Sequence, residues 1–223
     1  MDDPAMTPVI TRFGLMRHAT TLWNEAGRIQ GHSDSPLSDA GRHMAAEWAK
    51  ILHTDSWSRI LCSDSGRAKA TAMLLNSVLD LPMETDARLR EMDWGQWTGM
   101  TREEVRLQFS DILQRQNAAD WTFTPPGGES QLQVRKRGIQ ALQDAARKWP
   151  NQCILTVTHE GMMKCLFYDP DSQCSPGGVA VLMEPWRVHI MACTSRNVFL
   201  EYPNAIRLDA TDPIQNQFKS PAS

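Results

Sequence analysis

Apolar and polar positions alternate in blocks along the chain, and the blocks predict elements. Phe13-Gly14-Leu15-Met16 is a short apolar run that breaks into Arg17-His18, then into a loop rich in Gly, Ser, Asp and Pro up to Pro36. That reads as a strand feeding a polar loop. Ser38 suits an N-cap for a helix whose Ala40, Met44, Ala45, Trp48, Ala49 and Leu52 recur at steps of three and four. Ile60-Leu61-Cys62 repeats the strand pattern and ends in Ser63-Asp64-Ser65-Gly66-Arg67. Ala68, Thr71, Ala72, Leu75 and Leu79 follow at helical period. A third instance comes at Cys153 to Thr158, a β-branched run of the buried central kind that stops at His159-Glu160-Gly161.

The capping-box patterns Thr101-Arg102-Glu103-Glu104 and Ser130-Gln131-Leu132-Gln133 predict two more helix starts, the second just after the Pro125-Pro126-Gly127-Gly128 breaker. These two helices are expected to cover one edge of the sheet. Residues 179–183, 186–193 and 198–202 read as further strands, and the tail after Pro203 as loosely held. Strand, polar turn and helix in repeated order predict an α/β fold: a three-layer sandwich with a mostly parallel central sheet flanked by helices. The 223 residues suit a single domain spanning 1–223, with no internal repeat or linker to divide it.

Composition narrows the function. The chain is 41% hydrophobic, which fits a packed globule. Lys+Arg number 23 against 26 Asp+Glu, a net charge of −3, so the electrostatic footprint of a nucleic-acid or anionic-membrane binder is missing. Cys62, Cys153, Cys165, Cys174 and Cys193 are odd in number and lack C-x-x-C spacing, against both a disulfide framework and a zinc knuckle. His18, His32, His43, His53, His159 and His189 contain no H-x-x-x-H pair, so no metal site is expected. The start, Met1-Asp2-Asp3-Pro4, is acidic where a signal peptide is basic, and no apolar run approaches the ~18 residues of a membrane span. A cytoplasmic protein is expected, with a homodimer left open.

The chemistry collects at the polar strand ends. In open α/β sheets ligands sit beyond the carboxyl ends of the strands, where helix N-termini direct free N–H groups. Arg17-His18, Ser63 to Arg67 and His159-Glu160-Gly161 are all delivered to that edge. Two Arg and two His converging in an otherwise acidic chain describe a pocket for a small doubly charged anion, with phosphate the obvious candidate.

Leu15-Met16-Arg17-His18-Ala19-Thr20-Thr21-Leu22-Trp23-Asn24 resembles the leading motif of the histidine phosphatase superfamily, also called phosphoglycerate mutase-like. Arg28-Ile29-Gln30-Gly31 and Pro36-Leu37-Ser38-Asp39-Ala40-Gly41 continue it in register. Residues 63–72, Leu89-Arg90-Glu91 with Gly95-Gln96-Trp97-Thr98-Gly99, Gly127-Gly128-Glu129-Ser130, and Val157-Thr158-His159-Glu160-Gly161 are similar to its later motifs, in order. The similarity covers about residues 11–168.

The resemblance implies a metal-independent phosphatase with no cofactor, hydrolysing a small phosphorylated metabolite through a phosphohistidine. His18 would be the nucleophile, neutral and held in the attacking tautomer by a backbone carbonyl. Arg17, Arg67 and His159 would grip the non-bridging oxygens. Glu91 would protonate the leaving alkoxide and then activate water, with its pKa raised toward neutrality by Trp94 and Trp97. Without the resemblance, Glu91 reads as a surface partner of Arg88 or Arg90. Thr21, Asn24, Arg28, Gln30, Gly31 and Glu160 would line the phosphate and substrate entrance.

The family's usual Gly after Arg-His is Ala19 here, which would carry strain if the position required positive φ. Thr20 departs from the family's usual acidic or amide residue, and Asp169 to Ser223 matches poorly. Two other functions stay open. One is a cofactor-dependent phosphoglycerate mutase, which returns the phosphoryl group to a bound hydroxyacid; the other is a catalytically idle phosphate-binding module.

Overall fold

In the computed structural model, residues 9–119, 122–167 and 183–209 are described. Four strands, β1 (Thr11–Arg17), β2 (Arg59–Cys62), β3 (Met83–Thr85) and β4 (Cys153–Thr158), lie parallel. Two more, β5 (Arg187–Cys193) and β6 (Val198–Arg207), add an antiparallel hairpin beside β1, giving the order β3-β2-β4-β1-β5-β6. The carboxyl ends of the parallel strands therefore open on one edge. β1 and β4 run in register from Arg12 opposite Cys153 to Arg17 opposite Thr158, so the two strands stop side by side. Beyond them the ladder continues as His18 N–H to Thr158 O, 2.9 Å, and Ser63 N–H to Val157 O, 2.9 Å.

Alternation along the strands divides the core into two layers. Phe13, Leu15, Leu61 and Ile154 face helices α6 (Gln131–Lys148) and α7 (Glu160–Phe167). Met16, Ile60, Cys62, Leu155 and Val157 face α2 (Asp39–Leu52) and α3 (Gly66–Leu79). The expected three-layer sandwich is thus present. Ser38 caps α2 by accepting from Gly41 N–H, and the stripe Ala45, Trp48, Ala49, Leu52 is the buried one. Gly41 is required by close approach: a Cβ there would lie 2.0 Å from the Thr20 carbonyl oxygen, so α2 is pinned against the loop that follows His18.

The predicted capping boxes start α4 (Arg102–Gln108) and α6. Their placement differs from expectation. Only α4 joins a cover; its companion is α5 (Ser110–Ala119), and around them Trp97, Val105 and Phe123 bury a small separate cluster with Ile29, Trp94 and Leu113. α6 packs on the sheet face, because Val134, Ala141, Leu142 and Ala145 form an apolar stripe that the β-layer covers. A short helix α1 (Leu22–Glu25) follows β1.

The chain past Pro203 is also a correction. β6 runs to Arg207, and Ala205, Ile206 and Leu208 are buried. Pro203 read as a terminator, yet proline is tolerated on an edge strand or at a bulge. Here the register shifts between Val188 and Ile190, and the strand resumes with Ile206 opposite Val188. Of the predicted strand over 179–183, residues 179–182 lie outside the described residues, as do 210–223, and Met183 carries no strand. No helix among the described residues is long and apolar enough to cross a membrane.

Candidate active site

His18 follows the last residue of β1 and is almost wholly buried. Its Nδ1 lies 2.8 Å from the Ala19 carbonyl oxygen, which can only accept, so Nδ1 carries the proton. Nε2 then presents its lone pair, and Arg67 Nε donates to it at 3.2 Å. Burial first, then the charges of Arg17 and Arg67, push the His18 pKa well below the ordinary histidine value, outweighing the hydrogen bond to Ala19. His18 is thus a neutral imidazole with Nε2 unprotonated.

Ala19 is buried and its φ is not positive, so the strain considered above does not arise; its N–H donates to Thr71 Oγ1 at 3.0 Å.

Arg67 enters from the first turn of α3 and is 1% exposed. Its donors are nearly all assigned: Nη2 to Gly31 O, 2.8 Å, and Nη1 to Ser33 O, 2.8 Å, and to Asp34 Oδ1, 2.9 Å. Asp34 also receives the N–H groups of Gly66 and Arg67 at the start of α3. A loop carboxylate therefore caps the helix and fixes the guanidinium together. Linear spacing gave no sign of Asp34, because the contact closes across more than thirty residues.

Arg17 is partly exposed and donates to Glu160 Oε2 at 2.7 Å, while Lys164 reaches the other oxygen. Burial pushes Glu160 up, but Arg17 and Lys164 outweigh it and hold the carboxyl below its usual range. His159 is fully buried, its ring edge-on to that of His18 with 5.2 Å between centroids. Burial, then the neighbouring His18 and Arg67, lower its pKa well below the ordinary value.

Glu91 comes from the segment after β3, and its reading as a surface ion pair fails: Arg88 pairs with Asp86 and Asp144, and Arg90 with Asp64. Its carboxylate is instead ringed by three backbone donors. Oε1 accepts from Met92 N–H, 2.8 Å, and Met162 N–H, 3.1 Å, and Oε2 from Gly161 N–H, 3.1 Å. Trp94 and Trp97 stack on each other, 5.9 Å between centroids, along the wall of the same cavity. Arg137, which sequence reading missed, fastens this segment by donating to the carbonyls of Arg88, Arg90 and Glu91.

Beside these groups lies a cavity of about 1370 Å³, and His159, fully buried, is not among the residues that line it. Arg17, His18, Arg67, Glu91, Asn24, Arg28, Gln30, Gly31 and Glu160 all line it. Thr21 does not. It is completely buried and caps α1, accepting from Asn24 N–H while Asn24 Oδ1 accepts from Thr21 N–H. Arg28 sits at the outer rim, half-exposed and donating to Gly99 O at 2.6 Å. Toward the cover the wall becomes apolar, with Ile29, Trp97, Val105 and Leu113, and carries Arg102, whose side chain makes no hydrogen bond or ion pair among the described residues.

A neutral imidazole, two guanidinium groups and a carboxylate at one cavity form an arrangement suited to a phosphoryl group at the open edge of an α/β sheet. Residues 13–171 match the model of the histidine phosphatase superfamily, branch 1, and the chain belongs to that family. It is 32% identical over 171 residues to glucosyl-3-phosphoglycerate phosphatase of Mycolicibacterium vanbaalenii, covering 70% of this chain and 72% of the relative. To a probable phosphoglycerate mutase of Yersinia pestis it is 33% identical over 157 residues, 68% and 71% of the two chains. Among solved structures, Bacillus stearothermophilus YhfR superimposes with a TM-score of 0.74 at 27% identity, covering 89% of this chain and 98% of that one.

Proposed function

We propose that this protein is a phosphatase that hydrolyses a small phosphomonoester through a phosphohistidine on His18, without a metal. The observation that carries the reading is the hydrogen-bonded state of His18, with Nδ1–H tied to Ala19 O and the Nε2 lone pair turned to Arg67. Nε2 attacks phosphorus and the P–O bond to the alcohol breaks, while Glu91, protonated for this step, gives its proton to the leaving oxygen. Water then attacks the phosphohistidine, its proton passing to Glu91, and phosphate departs. Arg17, Arg67 and His159 stabilise the equatorial oxygens throughout.

Two further observations support a substrate class. The relatives' named substrates, glucosyl-3-phosphoglycerate and phosphoglycerate, are phosphorylated carboxylic acids, and Arg102, on the cavity wall, makes no hydrogen bond or ion pair among the described residues, though its charge acts on Glu160. A phosphorylated carboxylic acid would meet that charge.

The test is turnover of p-nitrophenyl phosphate and of a phosphometabolite panel in excess chelator. We expect phosphate release, an acid-labile adduct on His18, and a loss of at least about three orders of magnitude in His18→Ala. Near-normal turnover by that variant defeats the mechanism. Interconversion of 2- and 3-phosphoglycerate without phosphate release would show the mutase chemistry instead.

A further inference from the structure

The two ring nitrogens of His159 have different surroundings. Nε2 lies 2.9 Å from Ser63 Oγ and 3.2 Å from Ser65 Oγ. Nδ1 is buried with no hydrogen-bond partner, in a ring that meets His18 edge-on. A neutral imidazole has one proton, and the partners of one nitrogen decide where it sits.

Proton bookkeeping separates the two tautomers. Ser63 Oγ already accepts from Ser65 N–H at 3.3 Å, and the two hydroxyl oxygens are 3.3 Å apart. With the proton on Nδ1, the Ser65 hydroxyl donates to Ser63 Oγ, the Ser63 hydroxyl donates to Nε2, and every hydroxyl proton has an acceptor. Nδ1–H is then the one donor left without a partner, whereas the other tautomer leaves both a hydroxyl proton and the Nδ1 lone pair unmatched. With the proton on Nε2, that proton goes to Ser63, the Ser63 hydroxyl turns to Ser65, and the Ser65 hydroxyl has no acceptor among these groups. A bare lone pair on Nδ1 would then confront an anion.

The start of α3 carries an independent sign. Ser65 occupies the N-cap, where a serine oxygen ordinarily accepts from the first-turn N–H groups, yet its side chain makes no capping bond. Asp34 supplies the cap from another loop, which leaves the Ser65 hydroxyl to His159.

We propose that Ser63 and Ser65 are positioning residues that hold His159 as the Nδ1–H tautomer, so that it serves as a neutral hydrogen-bond donor to the oxygens of the phosphoryl group. The catalytic consequence rests on the phosphatase reading; the tautomer does not.

Two-bond proton–nitrogen correlation spectra of the resting protein read the tautomer directly, with no need for turnover or a variant. The expected pattern is Nδ1–H on His159; Nε2–H in the wild-type protein overturns the proposal. In the Ser63→Ala, Ser65→Ala double variant the proton should move to Nε2, and inorganic phosphate should bind about tenfold more weakly. Ser63→Thr, which keeps the hydroxyl, should restore both in the single-site background. A double variant that folds and keeps Nδ1–H with unchanged phosphate binding also refutes it. If Nδ1–H is found but no ester is hydrolysed, the assignment of the tautomer stands and the phosphatase reading falls.

Discussion

Gly161 shows how closely single residues set this site. A Cβ at that position would lie 2.3 Å from Glu91 Oε1, and the same residue's N–H holds Glu91 Oε2. Gly161→Ala is therefore expected to displace the carboxylate and mimic Glu91→Gln: alkyl phosphates should slow by about 10²-fold, p-nitrophenyl phosphate much less, since its leaving group needs little protonation. Equal losses on both substrates would remove Glu91 from the acid role. On the proposed mechanism the acid limb of the pH profile belongs to His18. Its depressed pKa keeps the nucleophile neutral below pH 6.5, so kcat/KM should hold on acidification past the ordinary histidine range. An acid limb at or above pH 6.5 would contradict the burial seen here. At this scale His18 and His159 were legible because each follows an apolar run, and Arg67 because it closes the polar turn after one. Asp34 and Arg137 were not, because their partners lie in distant segments.

Among the elements, α3 carries the most chemistry on the least local support. Its own N-cap serine makes no capping bond, and Asp34 replaces it while fixing Arg67. Asp34→Ala should cost about 1 to 2 kcal/mol, the usual worth of a cap, and raise KM several-fold as Arg67 loosens. Asp34→Asn keeps an acceptor for the helix and loses the ion pair, so it should retain most of the stability and still raise KM. Urea unfolding and steady-state kinetics on both variants check this; an unchanged KM in Asp34→Ala would show that Gly31 and Ser33 carbonyls suffice. Periodicity found α2, α3, α4 and α6 because each carries an apolar stripe or a cap in its own sequence. It could not distinguish a helix on the sheet face from one in the cover, since both bury one side. Nor could it see β3, three exposed residues that pair with β2 and carry no apolar stripe.

For the molecule as a whole, three buried imidazoles must stay neutral: His18, His159 and His189. Burial and then the charge of Arg187 lower the His189 pKa to about 4, while its Nδ1 accepts from Asn204 N–H at the β5–β6 bulge. In the unfolded chain these histidines titrate near the ordinary value, so the unfolded state gains protons first as pH falls. Stability should be full above about pH 6.5 and decline toward pH 4, with His189 alone accounting for about 3 kcal/mol at the low end. His189→Gln keeps an acceptor that does not titrate and should flatten the curve; thermal unfolding at pH 7 and pH 5 measures it, and identical slopes would assign the loss elsewhere. The sequence by itself determined the alternation of strands and helices, the parallel arrangement this implies and the strand-end residues that reach one edge, because period and polarity are local properties. Tertiary structure alone decided that Asn24 lines the cavity, that Glu91 sits among backbone N–H groups from α7, and that residues 203–207 complete a sheet edge. Those outcomes depend on which distant backbone groups are left unpaired, and only the assembled fold brings them within hydrogen-bond reach.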